Sequence, residues 1–128
     1  MAKNIESKFQ SQKVIPFLTA LPLTEFTKIQ QVALCGDADL IIVCNGFPIY
    51  MELKKEAKEK AKPLQRYKLI RAERAGALSM VVYPENWEVC KIFLKSLLKI
   101  HSYVIRPELP ECLQLKLSPS ETQFFTTP

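Results

Sequence analysis

The sequence contains a single histidine, His101, in 128 residues, and no two of its four cysteines form a CxxC pair. A zinc centre of the usual spacing is therefore not expected, and nor is a nuclease built on catalytic histidines. Cys35, Cys44, Cys90 and Cys112 are isolated from one another; Cys44 and Cys90 fall inside apolar patterns and read as small core residues. Isolated cysteines without an export signal suggest a reducing interior, so a cytoplasmic location is expected. Small size with one catalytic module hints at a phage or mobile-element source. No apolar run approaches the ~20 residues that a membrane-spanning helix needs. Met1-Ala2-Lys3-Asn4 lacks a hydrophobic export region, and no internal repeat is visible.

Apolar residues make up 48% of the chain, enough for a real core in one domain. Residues 1–103 are expected to form that domain, and 104–128 a proline-rich, partly ordered extension. The formal charge is +5, which fits a polyanionic partner. Asn4 can cap a first helix that runs to about Ile15, before Pro16. Residues 16–27 read as a loop, and Ile29–Leu34 as a first strand. Asp39–Cys44 and Phe47–Lys54 are apolar runs separated by Asn45-Gly46, a strong hairpin signal because both turn residues accept positive φ. A lysine-rich connection, Lys55–Lys62, leads to a helix over Pro63–Ala75 with Gly76 just past its end. Ala77–Tyr83 reads as a buried strand. Pro84 opens a third helix to about Ile100, with Trp87, Cys90, Leu94 and Leu97 on its apolar face. The rest suggests one short strand and a loose tail. The expected fold is an α/β sandwich in the order helix-β-β-β-helix-β-helix, with a mixed central sheet flanked by helices.

A two-residue turn at Asn45-Gly46 makes the numbers in every cross-strand pair sum to 91. Cys44 then faces Phe47, Val43 faces Pro48, Ile41 faces Tyr50, and Asp39 faces Glu52, with Cβ atoms on the order of 5 Å apart. Pro48 falls in a non-hydrogen-bonded pair, where its missing N–H costs nothing. Side chains alternate, so Lys54 shares the face of Glu52. Like charges placed opposite each other destabilise a sheet, and a divalent cation is the natural compensation. Hard ions such as Mg²⁺ take carboxylate oxygens and keep several waters; the backbone carbonyl of Leu53 could add a ligand. Lys54 could position the attacking water or neutralise developing charge. The alternative is a strand-initiating turn residue beside a solvated edge face.

Gly36-Asp37-Ala38-Asp39-Leu40, Met51-Glu52-Leu53-Lys54, Gln65 and Ala75-Gly76-Ala77 together resemble the PD-(D/E)XK nuclease superfamily. Within it they are most similar to the VRR-NUC (virus-type replication–repair nuclease) group, whose stand-alone members resemble Holliday-junction resolvases. The resemblance spans roughly residues 4 to 100 and implies a restriction-endonuclease-like sandwich. It implies that Asp39 and Glu52 bind metal and that Lys54 is the catalytic lysine. Glu6 would match an acidic residue beside the metal, and Gln65 a glutamine that supports the site or contacts phosphate. Ala38 stands where the signature has proline, and Tyr67 follows Gln65 too soon to match the tyrosine of exonuclease-type relatives.

Residues 54–74 hold nine Lys/Arg and three Glu. Lys55, Lys58, Lys60, Lys62 and Arg66 are expected to touch the phosphate backbone of DNA without sequence choice. Gln65 shares a helical face with Leu69 and Ala72, so it should look inward and need a partner, either in the site or as a helix-start cap. Asp37 reads as a turn residue and His101 as structural. The expected activity is that of a Mg²⁺-dependent endodeoxyribonuclease, with Mn²⁺ as substitute, acting on branched DNA; a homodimer is implied by the family. The competing readings are a catalytically inactive nucleic-acid-binding module of the same fold and an accessory subunit whose basic face meets an acidic protein.

Overall fold

A four-stranded mixed sheet organises the chain, in the order β1 (Thr24–Lys28), β2 (Leu40–Cys44), β3 (Phe47–Leu53), β4 (Leu78–Val82). The structure, a computed structural model, describes residues 8–29, 39–59, 62–100 and 107–126. The first three strands form an antiparallel meander; β4 runs parallel to β3 after the crossover helix α2 (Pro63–Arg74). Helix α1 (Ile15–Ala20) precedes the sheet, α3 (Trp87–Leu97) follows β4, and α4 (Pro119–Thr126) lies near the C-terminus.

The hairpin forms in the expected register: Cys44 pairs with Phe47, Val43 with Pro48 and Ile41 with Tyr50. Asn45 and Gly46 take φ of 49° and 86°, the positive values a tight primed turn requires. The Asn45 side chain also donates to the Leu97 and Ile100 carbonyls, both at 2.8 Å. It thereby ties the hairpin to groups that a helix end leaves without intrahelical partners.

Strand alternation gives the sheet two unlike faces. One carries Leu40, Ile42, Cys44, Ile49, Met51, Leu53, Met80 and Val82, all sealed in the core. Phe9, Val14 and Leu18 from the N-terminal helical segment and Trp87, Cys90, Leu94 and Leu97 from α3 cover that face. Phe9 and Phe17 meet Trp87 edge-on, with ring centroids 5.7 and 5.4 Å away. Burial pushes the Cys90 thiol up to about 12, so it acts as a small apolar residue. The opposite face carries Ile41, Val43, Pro48, Tyr50, Glu52 and Ser79. Here α2 is held to β4 by Ser79 Oγ donating to the Leu69 carbonyl at 2.6 Å.

Three expectations need correction. The first strand is Thr24–Lys28, inside the stretch read as a loop, and Ile29 lies outside it; residues 30–34 fall outside the described ones. Thr24 and Thr27 are β-branched, and only Phe26 turns an apolar side chain inward, so the strand lacks a strong apolar pattern. Second, Pro16 does not end the first helix: a π-helical turn, Gln10–Val14, runs into α1. Proline brings no N–H to the helical ladder; just before it, the Ile15 N–H reaches back five residues to the Gln10 carbonyl. Third, residues 107–126 hold a 3₁₀ turn, Glu111–Leu113, and the helix α4 where a loose tail was expected; the short strand expected after His101 is not among them, and residues 101–106 lie outside the described ones. By contrast, α2 spans Pro63–Arg74 with Gly76 at φ 115°, as the Pro and Gly punctuation predicts.

Candidate active site

The ends of β2 and β3 bring Asp39, Glu52 and Lys54 together. Asp39 sits one residue before β2, where its carbonyl accepts the Ile29 N–H at 2.9 Å. Its Oδ2 accepts the Leu53 N–H at 2.7 Å, which fixes the carboxyl against β3. Buried Glu52 Oε1 meets no donor from within the described residues. Glu52 is 1% exposed, and Lys54 6%. Lys54 Nζ stands 3.2 Å from Glu52 Oε2, so both residues share a face as the alternation requires. Leu53 points into the core on the other face.

Burial raises the Asp39 pKa above its ordinary 3.8, against the lowering influence of the Leu53 N–H, Lys54, the Glu52 side chain and Lys28. Burial in a medium of low dielectric disfavours the charged carboxylate and so favours its proton. Divalent cations displace such protons and meet two carboxylate oxygens with the rest of their shell as water. The donor set therefore fits a hard cation. Among the described residues no cluster of three or more metal-ligating side chains occurs, so the described side-chain donors are these two carboxylates. Glu6, expected as a further acidic ligand, lies outside the described residues.

Gln65 makes contacts of both kinds weighed for it. Its Oε1 accepts from Lys54 Nζ at 3.4 Å and from the Lys62 N–H at 3.1 Å, so one oxygen caps α2 and touches the site lysine. Of the basic residues, Lys58 and Lys62 are exposed, Lys55 is half-buried, and Lys60 lies outside the described residues. Arg66 is engaged from within the chain: its Nε donates to Glu121 Oε2 at 2.6 Å, and Nη2 donates to the Lys116 carbonyl.

Two residues that matter here carry no signal in the linear motif. Glu59 accepts the Lys55 N–H at 3.3 Å through Oε2, and its Oε1 stands 3.9 Å from Lys54 Nζ. It is one of three acids within a stretch dominated by Lys and Arg, and its position beside Lys54 is set by the fold. Glu121 was legible in principle: Ser118-Pro119-Ser120-Glu121 has the spacing of a capping box with proline at the first helical position.

The sequence matches no family model and no curated protein. A solved structure described as a VRR_NUC domain is similar to it, with a TM-score of 0.50 and 19% sequence identity. The likeness covers 77% of this chain and 94% of that one. Together with the mixed four-stranded sheet and its flanking helices, it establishes the architecture: this chain has the α/β fold of a VRR_NUC domain.

Proposed function

We propose that this protein is a metal-dependent nuclease that hydrolyses DNA phosphodiester bonds as an endonuclease on branched or structured DNA. The observation that carries the reading is the convergence of two carboxyls and a lysine at the ends of β2 and β3, with Glu52 and Lys54 buried and Asp39 half-buried. Asp39 and Glu52, with the Leu53 carbonyl, would hold Mg²⁺, or Mn²⁺ in its place. When bound, the cation would supply charge stabilisation at a phosphoryl oxygen and lower the pKa of an attacking water. Lys54 then places its ammonium beside the reacting phosphate, where the developing charge favours it. Gln65 keeps Lys54 directed by accepting one of its three protons. Lys58 and Lys62, at the exposed entry to α2, would meet the phosphate backbone without reading bases.

Cutting a four-way junction takes two incisions, so a symmetric dimer belongs to this reading, as does an intracellular setting. No helix among the described residues is long and apolar enough to cross a membrane. The test is purified protein with Mg²⁺ or Mn²⁺ on duplex, nicked, flapped and four-way DNA, with Glu52→Gln as control. Metal-dependent cutting that Glu52→Gln abolishes supports the reading. DNA binding with no cutting of any substrate would replace it with a non-catalytic binding module.

A further inference from the structure

Arg66 lies next in sequence to Gln65, which touches Lys54, and its guanidinium is taken up by the C-terminal segment. The partner there, Glu121, is set by its own helix. Ser118 donates its N–H to Glu121 Oε1 at 2.9 Å, and the Glu121 N–H returns to Ser118 Oγ at 3.2 Å. One carboxylate oxygen thus caps α4 while the other faces Arg66. Arg66 and the Ser118 N–H hold the Glu121 carboxyl down to about 2, so it is an anion at any working pH. A planar guanidinium takes a carboxylate or a phosphate oxygen with the same fork of donors.

A second observation connects this pair to the site. A cavity of about 620 Å³ lies between the loop after Lys54 and the C-terminal segment; Glu59, Arg66, Val81, Lys116, Ser118 and Glu121 are among its walls. Glu59 also approaches Lys54, and Val81 is the β4 neighbour of Glu52 in the sheet. The cavity therefore adjoins the proposed site through Glu59 and Val81, walled on one side by α4 and the residues before it.

The segment has a base anchored in the core and a tip that lies on the surface of α2. Leu109 and Leu113 are buried in the core, and Asn86 Nδ2 donates to the Cys112 carbonyl at 3.3 Å. Beyond that point, residues 115–118 have no regular structure. Phe124 meets Tyr67 at 6.5 Å between ring centroids yet stays 67% exposed. The Arg66–Glu121 pair is half-buried, with side chains 29% and 24% exposed, so solvent and salt still reach it and DNA phosphate can compete for the guanidinium.

We propose that residues 114–126 are a strap that substrate displaces. Glu121 occupies on Arg66 the place of a backbone phosphate, and a nucleic-acid strand entering the site exchanges its phosphodiester oxygen for that carboxylate. Helix α4 then swings off α2. The inference rests on the nuclease reading and names the regulation of that same site. A strand that reaches Arg66 opens the cavity; small anions and non-cognate acidic surfaces meet a basic face already neutralised.

The experiment is fluorescence anisotropy with a labelled branched oligonucleotide at low salt in EDTA, where binding is read without cutting. Glu121→Gln is expected to bind more tightly, by about fivefold, the order that release of one partly exposed ion pair sets. Arg66→Ala is expected to bind more weakly, and the double variant to bind like Arg66→Ala alone. Phe124→Ala, which loosens the tip without changing charge, should shift affinity in the same direction as Glu121→Gln. Amide exchange in residues 119–126 should speed up when DNA is added to the wild-type chain. DNA bound equally by wild type and Glu121→Gln overturns the strap and leaves the nuclease reading standing. Protection of residues 119–126 on binding also overturns it, because α4 would then be a DNA contact. Absence of DNA binding by every form overturns both.

Discussion

On the core face of the sheet, Ile42, Ile49, Met51 and Met80 have no solvent exposure and pack in one core with residues of the covering helices. On the opposite face, Val43 is 47% exposed and Pro48 is open to solvent, yet Glu52 on the same strand as Pro48 is sealed. The two faces spend the same β-ladder differently. The first buries apolar area and carries most of the stability. The second gives up area at one end and, at the other, desolvates two acids and a lysine. Burying charge costs free energy unless it is paired. The dry face stabilises the arrangement that holds the charged one in place.

The sharpest break between the faces is in chemistry. Glu52→Gln and Asp39→Asn should lower metal-dependent DNA cutting by about a thousandfold or more, while binding of the same DNA persists. Parallel cutting and mobility-shift assays check this, and loss of both together would point to a collapsed fold instead. In stability the order reverses. Ile49→Ala or Met51→Ala should cost about 2–5 kcal/mol in urea melts, because each leaves a cavity in a close-packed layer. Val43→Ala, on the other face of the same hairpin, should stay within about 0.5 kcal/mol. Equal costs at Ile49 and Val43 would show that something covers the site face in solution.

Metal should narrow the contrast. Mn²⁺ at 100 times its dissociation constant would stabilise the protein by about 2.7 kcal/mol, and Asp39→Asn should abolish most of that gain. The pH dependence has a definite sign. The folded pKa of Asp39 lies above 3.8, so the folded metal-free chain holds the proton more tightly than the unfolded one. Its favourable contribution is complete below 3.8 and is lost as pH rises through the folded value. Asp39→Asn should therefore gain in melting temperature relative to wild type as pH rises over that window, and added Mn²⁺ should reverse the order. A constant difference between the two proteins would place the titration elsewhere. Ser79→Ala should cost about 1 kcal/mol in urea melts, for its hydrogen bond to the Leu69 carbonyl.

The hairpin and its consequences were written in local sequence. Asn45-Gly46 selects a turn type, the turn sets the register, and the register places Asp39, Glu52 and Lys54 side by side. Each step uses residues within about one strand length of the next. Pro63 and Gly76 bound α2 by the same local means, since one pre-sets φ and the other accepts a positive one. The tertiary structure decided what local signals cannot. Thr24–Lys28 becomes a strand because β2 offers it a ladder, while its own side chains say little. Gln65 can cap a helix and hold Lys54 with one oxygen only because α2 lands on the site face. Arg66 meets Glu121 across 55 residues of chain, and no pattern along the sequence encodes that distance. Turn and cap chemistry acts between near neighbours; the pairing of distant charges depends on which surfaces the core has already brought together.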